Sequence, residues 1–123
     1  MKFVNFVGNE RVKEQLTYLQ ESGRLPHAFV IEGEEGLGKR TLAKEIVLNL
    51  FCKADEKPCF NCPQCSKVLK GVHPDVFEYS APGGVNSFHI QTVREIIEDV
   101  CIQPNEADYK VYILGNCQCM NMN

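Results

Sequence analysis

The sequence predicts an α/β fold, in which helices cover a parallel sheet. Three short apolar runs, at residues 28–31, 76–79 and 111–114, have the length and composition of buried strands. Stretches with helical periodicity lie between them. The glycine-rich stretch G-E-E-G-L-G-K-R-T, residues 33–41, joins the first run to one of these helices. The succession of strand, glycine-rich turn and helix is typical of α/β proteins that hold a phosphate group.

The composition is that of a small soluble domain. The chain has 123 residues, of which 44% are hydrophobic and 24% charged, and its net charge is −3. This charge gives no general attraction to nucleic acid or anionic membranes, so DNA contact would need a local basic patch or other subunits. No run is apolar enough to span a bilayer, and the N-terminus lacks the features of a secretory signal. We therefore expect a cytoplasmic protein whose seven cysteines stay reduced.

The first helix is predicted at residues 9–22, with Asn9 as its N-cap and Gly23 as its stop. Its apolar residues share one face: Val12, Leu16 and Leu19. The apolar residues before this helix have two interpretations. They anchor the N-terminus to the core, or Val7 and Gly8 bring backbone close to a nucleotide base.

The later helices are also predicted from periodicity. The helix at residues 42–51 has a broad apolar stripe, which predicts packing on the sheet: Leu42, Ala43, Ile46, Val47 and Leu50. A short helix at residues 66–70 is expected to end at Gly71, and residues 81–84 form a loop. A further helix, capped by Ser87, has one apolar face: Ile90, Val93, Ile96, Ile97 and Val100.

The glycine-rich stretch matches the P-loop pattern G-x-x-x-x-G-K-[ST] up to its last position. Its glycines permit positive φ angles and close approach of a ligand, and Lys39 stands where the pattern places a lysine that reaches the outer phosphates. The next residue should carry a hydroxyl for Mg²⁺, but it is Arg40, and the hydroxyl of Thr41 comes one residue late. The alternative interpretation is a glycine-rich turn that merely begins a helix.

A second group that handles Mg²⁺ is also missing. In P-loop proteins an acidic residue usually ends the third strand, whereas here the strand ends in Gly115 and Asn116. The absence of both groups argues against Mg²⁺-dependent hydrolysis.

Four cysteines predict a metal site: Cys52, Cys59, Cys62 and Cys65. Two overlapping C-x-x-C steps with a fourth cysteine upstream match a tetrahedral zinc site, because each step places two thiolates on one side of the backbone. Four protein ligands leave no open position, so the zinc would be structural. Free buried cysteines or a redox pair are the alternatives. His73 is not needed as a ligand.

The whole chain resembles one family, the bacterial clamp-loader subunits of DNA polymerase III, of the delta-prime and gamma/tau types. The resemblance rests on F-V-G-N-E-R-V, G-R-L-P-H-A-F, the P-loop stretch, the four cysteines, H-P-D-V and Y-K-V-Y-I-L, in this order. It implies a three-layer αβα AAA+ fold, of which residues 1–123 are the N-terminal portion and residues 52–71 an inserted zinc module. The lid and collar domains would be absent.

The resemblance also implies a role for each site. Val7 and Gly8 would lie beside adenine, and the phosphates of ATP or ADP would be wrapped by Gly33, Glu34, Glu35, Gly36, Leu37, Gly38, Lys39, Arg40 and Thr41. The four cysteines would hold zinc. The implied partners are other clamp-loader subunits, the sliding clamp and primed DNA, within a DNA-directed DNA polymerase complex.

Three functions remain open. The losses at Arg40 and Gly115 resemble the delta-prime subunit, which does not hydrolyse ATP, and no catalytic residue is assigned. The alternative is an ATP-hydrolysing gamma/tau-type subunit. A remote alternative is a small P-loop kinase, for which Arg94 is the one candidate phosphate clamp.

The resemblance further implies the sheet order 5-1-4-3-2, of which this chain supplies strands one to three. The first strand, at residues 28–31, is then expected to lack its neighbours. Either it pairs directly with the third strand, or a second chain covers the exposed edges. The faces of the helices at residues 42–51 and 90–100 would be under-covered as well. We expect a homo-oligomer, of which a dimer is the simplest form.

Overall fold

The computed structural model describes residues 1–33, 36–80, 90–107 and 109–115. The chain divides into two compact units, residues 1–70 and 71–123, and each is described by itself. The first unit contains helices α1 (Glu10–Glu21), α2 (Lys39–Phe51) and α3 (Pro63–Lys70). The second contains strand β1 (Val76–Ser80), helix α4 (Ile90–Val100) and strand β2 (Val111–Gly115).

Helix α1 begins and ends close to the predicted residues. Gly23 follows its C-cap with φ 70°, and the N–H groups of Gly23 and Arg24 donate to the carbonyls of Gln20 (3.1 Å) and Leu19 (2.9 Å). This is the closing arrangement that a left-handed glycine permits. Asn9 occupies the N-cap position, but it has a left-handed backbone and its side chain makes no capping hydrogen bond. The predicted side-chain cap is therefore wrong.

Helix α2 carries the core of the first unit. Phe6 packs with Leu42 and Ile46, and half-buried apolar residues surround them: Met1, Phe3, Leu16, Ile31 and Leu50. Other side chains of α2 are at most 2% exposed: Val47, Leu48 and Phe51. Helices α2 and α3 pack on each other. The expectation that this helix would be under-covered is wrong, because the N-terminal segment and α3 cover it.

The predicted first strand is not formed. Residues 28–31 have no strand pairing, and the side chains of Phe29 and Val30 are 44% and 87% exposed. A strand forms only when its backbone groups find a neighbouring strand, and within the described residues the sheet consists of β1 and β2 alone. Of the two alternatives for this run, direct pairing with the third predicted strand is thus not formed within the described residues.

The second unit confirms the two other predicted strands. β1 and β2 pair in parallel, with Val76 opposite Val111 and Ser80 opposite Gly115. The ring of Phe77 stacks on that of Tyr112 with a centroid distance of 5.2 Å. These are the second and third predicted strands, which the expected order places side by side.

Helix α4 is formed as predicted, and its apolar face is only partly covered. Val93 and Ile96 are half-buried, whereas Ile97 and Val100 are 62% and 57% exposed. Asp99 on this helix accepts hydrogen bonds from the hydroxyl of Tyr112 and the ammonium of Lys110. The predicted loop at residues 81–84 and the cap at Ser87 lie outside the described residues. No helix in the described part of the chain could cross a membrane, since none is both long and apolar enough.

Candidate functional site

The glycine-rich stretch ends in the geometry of an anion-binding helix start. Gly38 is the N-cap of α2 with φ 84°, and its carbonyl accepts the first helical hydrogen bond, from the N–H of Leu42 at 2.9 Å. The N–H groups of the first turn, residues 39–41, therefore have no acceptor within the helix. Gly36 also has φ 84°, which strains any residue with a Cβ. Two glycines with positive φ thus precede the first residue of the helix.

Lys39 closes the loop on itself. Its ammonium donates a 2.7 Å hydrogen bond to the carbonyl oxygen of Gly33. The lysine thereby spans the stretch that would surround a phosphate. Leu37, between the two glycines of positive φ, is exposed, and the predicted site residues Glu34 and Glu35 lie outside the described residues.

Arg40 and Thr41 stand on different sides of α2. Arg40 is exposed on the first turn, whereas Thr41 is half-buried, and its Cβ lies 4.0 Å from the position of a Cβ at Gly38. Successive helical residues point about 100° apart, so the hydroxyl of Thr41 does not occupy the direction of residue 40. The late threonine is therefore not a geometric substitute for the missing hydroxyl.

Val7 and Gly8, the residues predicted to contact a base, follow Phe6, whose ring lies close to Gly38. Two ring atoms of Phe6 lie 3.5 Å from the position that a Cβ on Gly38 would take. Val7 is then 87% exposed, and Gly8 has φ 84°. Val7 and Gly8 therefore leave the core beside the start of α2.

The remaining residues that the sequence analysis related to nucleotide chemistry belong to the second unit. Gly115 is the last residue of β2, and Asn116 lies outside the described residues. Arg94 lies exposed on α4.

The four predicted metal ligands come together. Cys52 caps the C-terminus of α2, Cys65 lies in the first turn of α3, and Cys59 and Cys62 lie in the connecting segment or at the start of α3. The four Sγ atoms all lie within 4.8 Å of one another, and those of Cys52 and Cys62 are 4.0 Å apart. A tetrahedral zinc with 2.3 Å Zn–S bonds needs Sγ separations of about 3.8 Å. The cluster therefore fits zinc after a small contraction.

Backbone N–H groups point at these sulfurs. Cys59 Sγ accepts from the N–H groups of Asn61 (3.4 Å) and Cys62 (3.2 Å), and the N–H of Cys65 donates to Cys62 Sγ at 3.4 Å. The N–H of Cys59 donates to Cys52 Sγ at 3.4 Å. Such donors stabilise the thiolate, which is the form that binds metal.

The pKa values follow from these donors and from burial. The backbone donors lower the pKa of Cys59. Burial acts to raise the pKa of Cys62, but hydrogen bonds from the Cys65 backbone and from neighbouring thiols outweigh it and lower the pKa to about 6. Burial, together with the neighbouring sulfurs, raises the pKa of Cys65 to about 12. Four close sulfurs cannot all ionise by themselves, so a cation at their centre would complete the site.

Sequence reasoning missed three buried polar residues of the two units. Glu45 and Asn49 lie on the buried side of α2, at most 2% exposed, and both bind backbone groups of residues 2–6. Asp75 is fully buried, and its carboxylate accepts the N–H groups of residues 105–107. The sequence contains a signal for the burial of Glu45 and Asn49, since these two polar residues, four positions apart, interrupt an apolar helix face.

His73 has a structural position in the second unit. Its side chain is fully buried, Nδ1 accepts the N–H of Asp75 at 3.0 Å, and Nε2 lies 3.8 Å from a carboxylate oxygen of Glu106. Within the described residues, the cluster of possible metal ligands consists of the four cysteines without it.

Comparison with known proteins identifies the relatives of the chain. It is 33% identical to DNA polymerase III subunit gamma/tau of Mycoplasma pneumoniae over 97% of this chain and 17% of that protein. It is 29% identical to subunit delta' of Bacillus subtilis (92% of this chain, 34% of that protein), and 27% identical to subunit tau of Escherichia coli (97% and 18%). The chain thus spans about a third or less of the length of these relatives.

The family match is nearly as long as the chain. The family described as DNA polymerase III, delta subunit, matches residues 8–123. Together with the relatives, this match confirms the resemblance to the N-terminal region of a clamp-loader subunit. The chain therefore belongs to this family of DNA polymerase III clamp-loader subunits.

Proposed function

We propose that the chain acts as part of a clamp-loader subunit of DNA polymerase III, which helps to place the sliding clamp on primed DNA. Its partners would be the other clamp-loader subunits, the clamp and the primer–template junction. Residues 1–123 would contribute to one AAA+ domain, with residues 52–71 as an inserted zinc module. The family membership and the relatives named gamma, tau and delta' support this proposal.

Within this family we infer a delta-prime-like subunit that binds a nucleotide without hydrolysing it. The observation that carries the inference is the start of α2. Gly38 and Lys39 keep the backbone and the ammonium that a phosphate needs, while the next side chain is Arg40 and not a hydroxyl. A phosphate can bind through N–H groups and Lys39, but Mg²⁺ lacks an anchor on this turn. The glycine at the end of β2 removes a second anchor.

The cysteine cluster is proposed to hold one structural zinc ion. Cys52 and Cys65 are at most 1% exposed; Cys52 is the C-cap of α2 and Cys65 lies in α3, and these two helices pack on each other. When bound, zinc would act as a cross-link between these helices and neutralise the thiolates. Four sulfur ligands leave no position for a substrate.

The nucleotide proposal is tested by titrating the chain with ATP and with tripolyphosphate, each with and without Mg²⁺. We expect both ligands to bind, Mg²⁺ to change the affinity less than twofold, and phosphate release to stay at the background rate. A tenfold gain in ATP affinity with Mg²⁺, accompanied by turnover, would contradict the proposal. Co-elution with the other purified clamp-loader subunits tests the assembly proposal separately.

A gamma/tau-type ATPase is the second candidate. It is favoured by the 33% identity to a gamma/tau subunit and by the position of Lys39 at the loop. Hydrolysis that appears only when the chain is mixed with its partner subunits, and that is lost in Lys39→Met, would support this candidate against the first.

A further inference from the structure

The first six residues are bound to helix α2 by two buried polar side chains. We call residues 1–6 the strap. Glu45 is 2% exposed, and its carboxylate accepts the backbone N–H groups of Val4 (2.9 Å), Asn5 and Phe6 (3.2 Å). Three consecutive N–H groups therefore converge on one ionisable side chain. Hydrogen bonds to a charged acceptor are stronger than those between neutral groups.

Asn49 adds a second attachment one helical turn later. Its Oδ1 accepts the N–H of Lys2, and its Nδ2 donates to the carbonyl of Lys2, both at 2.9 Å. The amide is 1% exposed, and Nδ2 also donates to the carbonyl of Glu45 at 2.7 Å. The two side chains thus fix the position of the strap along α2, which apolar contacts alone would not specify.

The end of the strap lies against the start of the phosphate loop's helix. The ring of Phe6 is 6% exposed, packs on Leu42 and comes within 3.5 Å of the Cβ position of Gly38. The ammonium of Lys13 lies 5.6 Å from the centre of the same ring. The backbone then emerges into solvent at Val7, which is 87% exposed.

We propose that Glu45 and Asn49 are positioning residues for the nucleoside part of a nucleotide. The helix that begins with Lys39 also carries the two side chains that hold the strap. They therefore fix the distance between the phosphate-binding turn and the backbone of Val7 and Gly8. The ligand class is a nucleoside triphosphate whose base contacts this backbone. This inference rests on the proposed nucleotide site, and it assigns to α2 a role at both ends of the ligand.

The affinity for ATP should depend on the attachment of the strap. If the base site exists only while the strap is attached, the apparent affinity for ATP falls with the fraction of molecules whose strap is in place. Tripolyphosphate has no base and contacts the phosphate loop alone. Its affinity should not depend on the strap. A general loss of stability would affect both ligands alike.

The experiment compares Glu45→Gln with Glu14→Gln. Glutamine at position 45 keeps the size of the side chain but places an NH₂ group against backbone N–H donors. We expect ATP to bind about tenfold more weakly and tripolyphosphate to change less than twofold. Glu14 is exposed on α1 in the same unit, so its variant should bind both ligands as the native chain does. Equal weakening of both ligands, or no change for ATP, would overturn the proposal.

A measurement on the native chain avoids any folding defect of the variant. Hydrogen exchange at the amides of Val4, Asn5 and Phe6 should slow when ATP is added and stay unchanged with tripolyphosphate, since coupling between sites is reciprocal. Equal protection by the two ligands would overturn the inference. If the native chain binds neither ligand, the proposed nucleotide site fails and this inference fails with it. Binding of both ligands with exchange unaffected by ATP would overturn this inference alone.

Discussion

The ammonium of Lys39 is held by the carbonyl oxygen of Gly33, six residues earlier, through a 2.7 Å hydrogen bond. A phosphate entering the loop would offer this ammonium a charged acceptor in place of a neutral one. We therefore predict that Lys39→Met weakens tripolyphosphate binding about 10- to 100-fold, as measured by calorimetric titration. Lys44→Met, on the same helix beyond its first turn, serves as the control and should bind normally. Unchanged affinity in Lys39→Met would show that the loop does not use its lysine.

A second prediction concerns the residue after this lysine. Arg40→Thr restores the hydroxyl that the P-loop pattern requires, at the position on α2 that Thr41 does not reach. We expect Mg²⁺ to improve ATP binding by at most about tenfold in this variant, because only one anchor is regained. Phosphate release should remain at background, since β2 still ends in Gly115 and no neighbouring subunit supplies an arginine. Steady turnover by Arg40→Thr alone would contradict this expectation.

The third prediction is one zinc ion per chain, bound by the four clustered cysteines. Metal analysis should give a 1:1 ratio, and chelation should lower the melting temperature by about 10 °C or more, because a bound ion stabilises the folded state. Cys65→Ser removes a fully buried ligand and should abolish stoichiometric binding. Cys101→Ser removes an exposed thiol on the second unit and should bind zinc normally. Metal-free native protein with four freely reactive thiols in the cluster would refute the site.

The cysteine cluster could be predicted because its signal is local. The four ligands lie within fourteen positions from Cys52 to Cys65, and the intervening turns alone bring the sulfurs together. The apolar runs predicted at residues 76–79 and 111–114 also form strands, and their parallel pairing agrees with the sheet order that the resemblance implies. The turn into α2 likewise depends on local residues, the glycines with positive φ at positions 36 and 38.

Apart from the side-chain cap at Asn9, the features that the sequence did not predict depend on non-local contacts. Residues 28–31 have the composition of a strand, but strand formation depends on partners that composition does not describe. Glu45 lies between apolar residues of α2, and this pattern does not indicate which groups it binds. Its partners are the N–H groups of residues 4–6, which precede it by 39 to 41 positions. The hydrogen bonds of Asp75 could not be predicted for the same reason, because its partners follow it by 30 to 32 positions.

The fourth prediction uses this buried carboxylate. Burial acts to raise the pKa of Asp75, but the N–H groups of Asn105, Glu106 and Ala107 outweigh it and lower the pKa to about 2. A carboxyl group whose pKa is lower in the folded chain stabilises that chain above its unfolded pKa of about 4. This stabilisation is lost as the pH falls from about 4 through 2.

Asp75→Asn should therefore lower the free energy of unfolding by about 2 kcal/mol at pH 7, measured in urea. The difference between variant and native chain should shrink toward zero near pH 2. Taking this difference cancels the pH dependence of zinc binding, which both proteins share. Glu78→Gln alters an exposed side chain of β1 and should leave the stability unchanged at both pH values. A variant equally destabilised at pH 7 and pH 2 would show that charge is not involved.

The last prediction concerns the exposed segment at residues 28–31. Phe29 and Val30 are 44% and 87% exposed next to backbone groups without strand pairing. Such a segment can add to the same segment of a second chain, which would satisfy the backbone groups and cover the apolar side chains. We predict a dimer in sedimentation experiments at micromolar concentration.

Val30→Lys should give a monomer, because a charge on a pairing edge must lose its hydration in the dimer. Val72→Lys, at a residue that is 65% exposed in the segment before β1, should remain dimeric. A native chain that sediments as a folded monomer at micromolar concentration would contradict the pairing of this segment between two chains.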